Sequence, residues 1–112
     1  MKITQRRDGE TLIFKLDGKM AVGAGEERAR EAIKAALAAG ETRILLDMEH
    51  VTMLDSEGVG DLLASHTSAK RSGAKMAMVH LSPRVGRVLQ VTNLIGVLDV
   101  YDDSEEALRA LD

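Results

Sequence analysis

Apolar and polar positions along this chain follow two different periods. Residues 3–7 and 11–16 are short strand-like runs, and Asp8-Gly9-Glu10 between them predicts a β-hairpin. Gly18 is expected to break the second strand. Over residues 26–39 the period becomes helical, with Ala29, Ile33, Ala36 and Leu37 on one face at i, i+4, i+7 and i+8. Glu26 and Glu27 suit the electropositive first turn of that helix, and Gly40 is placed to stop it. Residues 42–47 then read as a strand buried on both faces, because Ile44-Leu45-Leu46 is an unbroken branched run. A short apolar link, from Val51 to Leu54, leads into a second helix over 57–72. Its expected inward stripe is Val59, Leu62, Leu63 and His66; Lys70 and Arg71 fill the last turn and Gly73 ends it.

The remainder alternates in the same way. Residues 75–81 form the next strand, and Ser82-Pro83 opens a third helix, with serine as N-cap and proline at the first helical position. Val85, Val88 and Leu89 face inward there, and Arg84 and Arg87 outward. Gly96 punctuates before a last strand over 97–101. Asp103, with Glu106 three residues on, starts a terminal helix reaching Leu111. The order ββαβαβαβα predicts an α/β fold: a mixed, mostly parallel sheet begun by a β-hairpin, with about five strands and four helices. No linker, repeat or low-complexity segment interrupts it, so residues 1–112 are expected to form one domain, of ordinary domain length (roughly 100–150 residues).

Composition narrows the function. Hydrophobic residues make up 45% and charged residues 29%, enough for a core and a solvated surface. Phe14 and Tyr101 are the only aromatics, which leaves no platform for stacking bases. With a net charge of −3 there is no basic footprint for a phosphate backbone, so nucleic acid is not expected as a direct partner. The absence of cysteine removes disulfides and thiolate metal sites. No apolar run approaches the ~18 residues that span a bilayer. No apolar segment follows the charged start Met1-Lys2-Ile3-Thr4-Gln5-Arg6-Arg7. A soluble, cytoplasmic protein without membrane insertion is expected.

The candidate chemistry lies at Asp55-Ser56-Glu57-Gly58-Val59-Gly60. A buried strand, a short link and a helix start place the Ser56 hydroxyl at the lip of the sheet, flanked by Asp55 and Glu57. Capping alone explains Asp55 or Ser56 at this position, and a capping serine is still exposed. Gly58 and Gly60 each cost up to ~1 kcal/mol against alanine inside a helix, so something is expected to come close there. Ala64 extends the small-residue line by a further turn. Tight packing of that turn on its own sheet is the competing explanation.

Other chemistries fail on spacing. Leu63 and Arg28 stand where Gly58-Val59-Gly60 and Gly23-Ala24-Gly25 would need a third glycine for a dinucleotide loop, and no Walker motif occurs. His50, His66 and His80 lie far apart and show no ligand spacing, so neither a metal nor another cofactor is expected. His66 reads as a core histidine. Ser56 has no basic partner and no G-x-S-x-G elbow, which excludes a hydrolase; the chain is not expected to be an enzyme. Asp47 ends a strand as a phospho-accepting aspartate would. The acidic pair such receivers need after the first strand is missing, so Asp47 is expected to be structural, holding the next loop.

Taken together, Leu46-Asp47, the link Val51 to Leu54 and Asp55-Ser56-Glu57-Gly58-Val59-Gly60 resemble the STAS family, in particular its bacterial anti-sigma factor antagonists. Ser82-Pro83 with Val85, the step Leu94-Ile95-Gly96 and the ending Ser104-Glu105-Glu106-Ala107-Leu108 are similar too, so the likeness runs over nearly the whole chain. The resemblance implies a STAS-like fold and a phosphorylation-switched binding module. Such a module sequesters an anti-sigma factor that is also an ATP-binding serine kinase of histidine-kinase-like fold, freeing a sigma factor for transcription. A serine phosphatase resets it. By position the phosphorylated residue is Ser56, and the partner-binding residues are Asp55, Ser56, Glu57, Gly58, Gly60, Asp61 and Ala64. Two departures stand out: Glu57 replaces the family's second serine, and Gly18-Lys19-Met20-Ala21 replaces its glycine-X-leucine-aspartate. The alternative is a STAS regulatory or scaffolding subunit of a transporter or signalling assembly, without a serine switch.

Overall fold

The computed structural model describes residues 1–21 and 28–112. Strands β1 (Lys2–Asp8), β2 (Thr11–Met20), β3 (Arg43–Leu54), β4 (Lys75–Val79) and β5 (Val100–Tyr101) form one sheet in the order β1-β2-β3-β4-β5. Helices α1 (Ala29–Ala38), α2 (Ser56–Arg71), α3 (Pro83–Val91) and α4 (Ser104–Leu111) follow β2, β3, β4 and β5. The β1–β2 pair is antiparallel and the other pairs are parallel, as the alternation of elements predicts. Gly9 supplies the hairpin turn, with φ of +60° at the first central position of a two-residue loop.

Alternation along the central strands splits the core into two layers. Leu12, Phe14, Leu16, Ile44, Leu46, Met76 and Met78 pack against α1, α2 and α3. Ile13, Leu45, Ala77 and Val79 point the other way, under Ala107 and Leu111 of α4. This is why Ile44-Leu45-Leu46 is apolar without interruption: both of its faces are covered.

Several boundaries differ from the pattern-based ones. Gly18 does not end β2. It adopts φ of +118° within the strand, and the β2–β3 register slips between Lys15 and Asp17 and again between Gly18 and Lys19. These irregularities let β2 continue to Met20, which gives the expected link from Val51 to Leu54 a strand to pair with. β3 therefore runs unbroken through Asp47 to Leu54, with Val51 and Leu54 buried. β4 stops at Val79, because His80 turns to φ of +61°. The last strand shrinks to Val100–Tyr101, since Val97 and Leu98 donate their N–H groups to Leu94 O in a turn. The expected first turn of α1 at Glu26 and Glu27, and Gly23-Ala24-Gly25, lie outside the described residues. Among the described residues no helix is long and apolar enough to cross a membrane.

Candidate functional site

β3 delivers the site directly. The Asp55 N–H donates to the carbonyl of Met20 at 3.2 Å, so the chain leaves the sheet still tied to the end of β2. Asp55 is extended (φ −101°, ψ −173°) and its carboxylate accepts the Gly58 N–H at 3.0 Å, capping α2. The cap is therefore Asp55, and Ser56 occupies the first helical position. Ser56 is exposed, and its hydroxyl has no partner among the described residues. A free hydroxyl on a capped, sheet-anchored turn is both accessible and fixed in place.

The two helix glycines answer different demands. Gly58 is buried, and a Cβ there would meet the Met20 carbonyl oxygen inside contact distance, Leu54 Cδ1 at 2.7 Å and the Met20 carbonyl carbon at 2.9 Å. Internal packing, not a visiting protein, forbids a side chain at this position. Gly60 is exposed with nothing within 4 Å. Ser56, Gly60 and Ala64, at i, i+4 and i+8, share one side of α2, the first two exposed and Ala64 half-buried.

Charge on the neighbouring stripe is compensated. Arg28, just ahead of α1, places its Nη2 2.8 Å from the Asp61 carboxylate and 3.1 Å from that of Glu57. Its guanidinium is held above its usual pKa, first by the hydrogen bond to Asp61 and then by that carboxylate's charge. Asp61, expected at the partner surface, is only 9% exposed and is engaged within the molecule. Arg28 itself gave no local signal, because its role arises from the α1–α2 contact.

Elsewhere the inward face of α2 is Gly58, Asp61, Leu62, Ser65 and Ala69. Val59, Leu63 and His66 are half-buried, so His66 is not a core histidine; it borders a cleft with Lys70, Asp99 and Tyr101. Asp47 lies inside β3 rather than at its end. Its Oδ1 accepts the Glu49 N–H at 3.1 Å and sits 3.2 Å from His80 Nδ1, so it ties the bulged strand to the β4–α3 link. Donor atoms of Asp47, Glu49 and His80 lie within 4.8 Å of one another, a grouping that the wide sequence spacing hides.

The family model described as "STAS domain" matches residues 2–107. An anti-sigma F factor antagonist of Paenibacillus polymyxa is 29% identical over 69 residues, covering 62% of this chain and 59% of that protein. The match thus spans less than two thirds of that relative's length. The solved structure of the anti-sigma factor antagonist SpoIIAA in its unphosphorylated form is 26% identical, with a TM-score of 0.73 over 97% of this chain and 95% of that one. An anti-sigma factor antagonist from Mycobacterium paratuberculosis shares the fold, with a TM-score of 0.83 at 19% identity over 98% of this chain and 92% of that one.

Proposed function

Because the chain belongs to the STAS domain family, we propose that it is an anti-sigma factor antagonist working in the cytoplasm as a binding module, not an enzyme. In this reading the unphosphorylated chain docks an anti-sigma factor through the α2 face that carries Ser56, Gly60 and Ala64. The anti-sigma factor is itself a serine kinase with bound ATP. Phosphorylation of Ser56 ends the complex and a serine phosphatase restores it.

The observation that carries the reading is the Ser56 hydroxyl: exposed, unpartnered among the described residues and held on a capped turn beside a smooth ridge. The likeness to SpoIIAA, a protein described in an unphosphorylated form, agrees with a phosphorylation switch. Glu57, which stands where the family has a second serine, does not burden the docking face with a bare charge, since Arg28 lies 3.1 Å from it.

Mixing the chain with an anti-sigma factor kinase and ATP tests the proposal. A complex is expected on size-exclusion chromatography, followed by a one-phosphate mass gain mapped to Ser56 and release of the partner. A stable complex that never gains phosphate would favour the scaffolding alternative, and no complex at all would remove the antagonist reading. Arg28→Gln should weaken docking several-fold at low salt and much less at high salt. The variant leaves Glu57 uncompensated near the interface, and exposed charges are screened within a Debye length of about 8 Å at physiological ionic strength. Titration calorimetry at two salt concentrations reads this directly.

A further inference from the structure

We propose that the cleft between α1 and α2 is a binding site for a compact tetrahedral oxyanion, a phosphate group. The cleft has a volume of about 100 Å³ and is lined by Arg30, Ile33 and Lys34 of α1 and by Ser65 and Ser68 of α2. Arg30 and Lys34 stand one turn apart on the same helix face, where like charges repel. Neither has an ion pair among the described residues. Arg28, two residues before Arg30, is already held by Asp61 and Glu57. Among the described residues no carboxylate lines the cleft.

Ser65 is the independent sign of a missing ligand. It is 3% exposed, and its hydroxyl is buried without a hydrogen-bond partner. A helical serine or threonine usually satisfies itself by donating to the carbonyl a turn earlier. Ser72 does so to Ser68 O at 2.9 Å, and Thr92 to Val88 O at 2.8 Å. Ser65 does not, and it borders the cleft that holds the two unpaired cations. Buried polar groups in native proteins are almost always satisfied, so an orphan at this point marks a place for an acceptor. Water would satisfy the hydroxyl but would not relieve the repulsion between the two cations. An oxyanion accepts from the hydroxyls and neutralises Arg30 and Lys34 together, the two cations exposed at the mouth of the cleft and Ile33 and Ser65 buried at its floor. The volume is sufficient for a phosphate group.

The site lies more than two turns of α2 beyond Ser56 and does not depend on that residue being modified. Amide chemical shifts recorded by NMR during titration with inorganic phosphate, at constant ionic strength with chloride as the balancing anion, test the proposal. Saturable shifts centred on Arg30, Lys34, Ser65 and Ser68 are expected. Arg30→Gln/Lys34→Gln should weaken the affinity at least tenfold, and Ser65→Ala about tenfold, the range for losing a hydrogen bond to a charged group. Ser65→Ala should keep or raise the melting temperature, since it removes an unsatisfied hydroxyl. A parallel titration with ADP separates the sources: tighter binding than phosphate assigns a phosphorylated nucleotide, and equal or weaker binding assigns the free ion. Shifts that fail to saturate, or an affinity untouched by both sets of variants, would overturn the site.

Discussion

Ser56→Ala should leave the chain able to dock its anti-sigma partner while making it refractory to phosphorylation. This is the sharpest expected outcome of the proposed switch, and it follows from where the hydroxyl sits. Ser56 contributes no cap, because Asp55 supplies the oxygen that Gly58 N–H needs. Removing its hydroxyl therefore costs the helix little, and alanine is the better helix former. Phosphorylation of the native chain has the opposite profile. A phosphoserine brings about −1.5 to −2 charges at neutral pH, and a helix N-terminus favours negative charge. The melting temperature should barely move.

The effect instead falls on the interface, where the phosphate adds its charge beside Asp55 and against the surface the partner presents. Like charges juxtaposed between partners cost several kcal/mol, and about 2.7–4 kcal/mol weakens binding a hundredfold to a thousandfold. Calorimetry on the native, phosphorylated and alanine chains, with intact mass as the check on modification, should give tight, weak and tight binding respectively. If the alanine chain still gains phosphate on incubation with kinase, Ser56 is not the acceptor. If the phosphorylated chain binds as well as the native one, charge at this turn does not control docking.

How much of this was legible in the sequence depended on whether the cause was local. Asp8-Gly9, Ser82-Pro83 and Asp103 each fix their turn or cap through their own backbone chemistry, and each does so in the folded chain. The two apolar faces of β3 were readable from three consecutive residues. Gly18 was misread because a glycine ending a strand and one carried inside it look alike; only the pairing of β2 with the later part of β3 separates them. Leu62 was read correctly as inward, with Val59 and Leu63 packed against the same core. The polar part of that face of α2 was missed because Asp61 and Ser65 are polar yet buried, one answered by Arg28 across the helix pair and the other by nothing in the described chain. At the site itself, Asp55 and Ser56 are equally good cap residues by type. Geometry decides between them, and that decision is what frees Ser56.

Gly58 and Gly60 are identical letters two residues apart, and alanine at each should change stability in opposite directions. At Gly60 the added methyl meets nothing within 4 Å, so the helix should gain up to ~1 kcal/mol from the better helix former. At Gly58 the same intrinsic gain is overwhelmed. The new Cβ would strike the Met20 carbonyl, which is backbone, and Leu54 Cδ1 at 2.7 Å, which sits in the core. The leucine terminus can shift by a rotamer, but the carbonyl cannot move without loosening the end of β2 and its 3.2 Å bond from Asp55 N–H. Overpacking of this kind typically costs about 1–3 kcal/mol, and losing a backbone hydrogen bond roughly 1 more. Against a total stability of about 5–15 kcal/mol, a net loss near 2 kcal/mol for Gly58→Ala is a large fraction. Urea denaturation of both variants at equal m-value reads the contrast directly. Because the strain would fall on the joint that presents Ser56, Gly58→Ala should also slow phosphorylation while the chain remains folded. Gly60→Ala should leave the turn intact and weaken docking only where a partner's backbone approaches the ridge. A Gly58→Ala chain as stable as the native one would mean that α2 can slide off β2 at no cost, and the hydroxyl of Ser56 would then not be rigidly aimed.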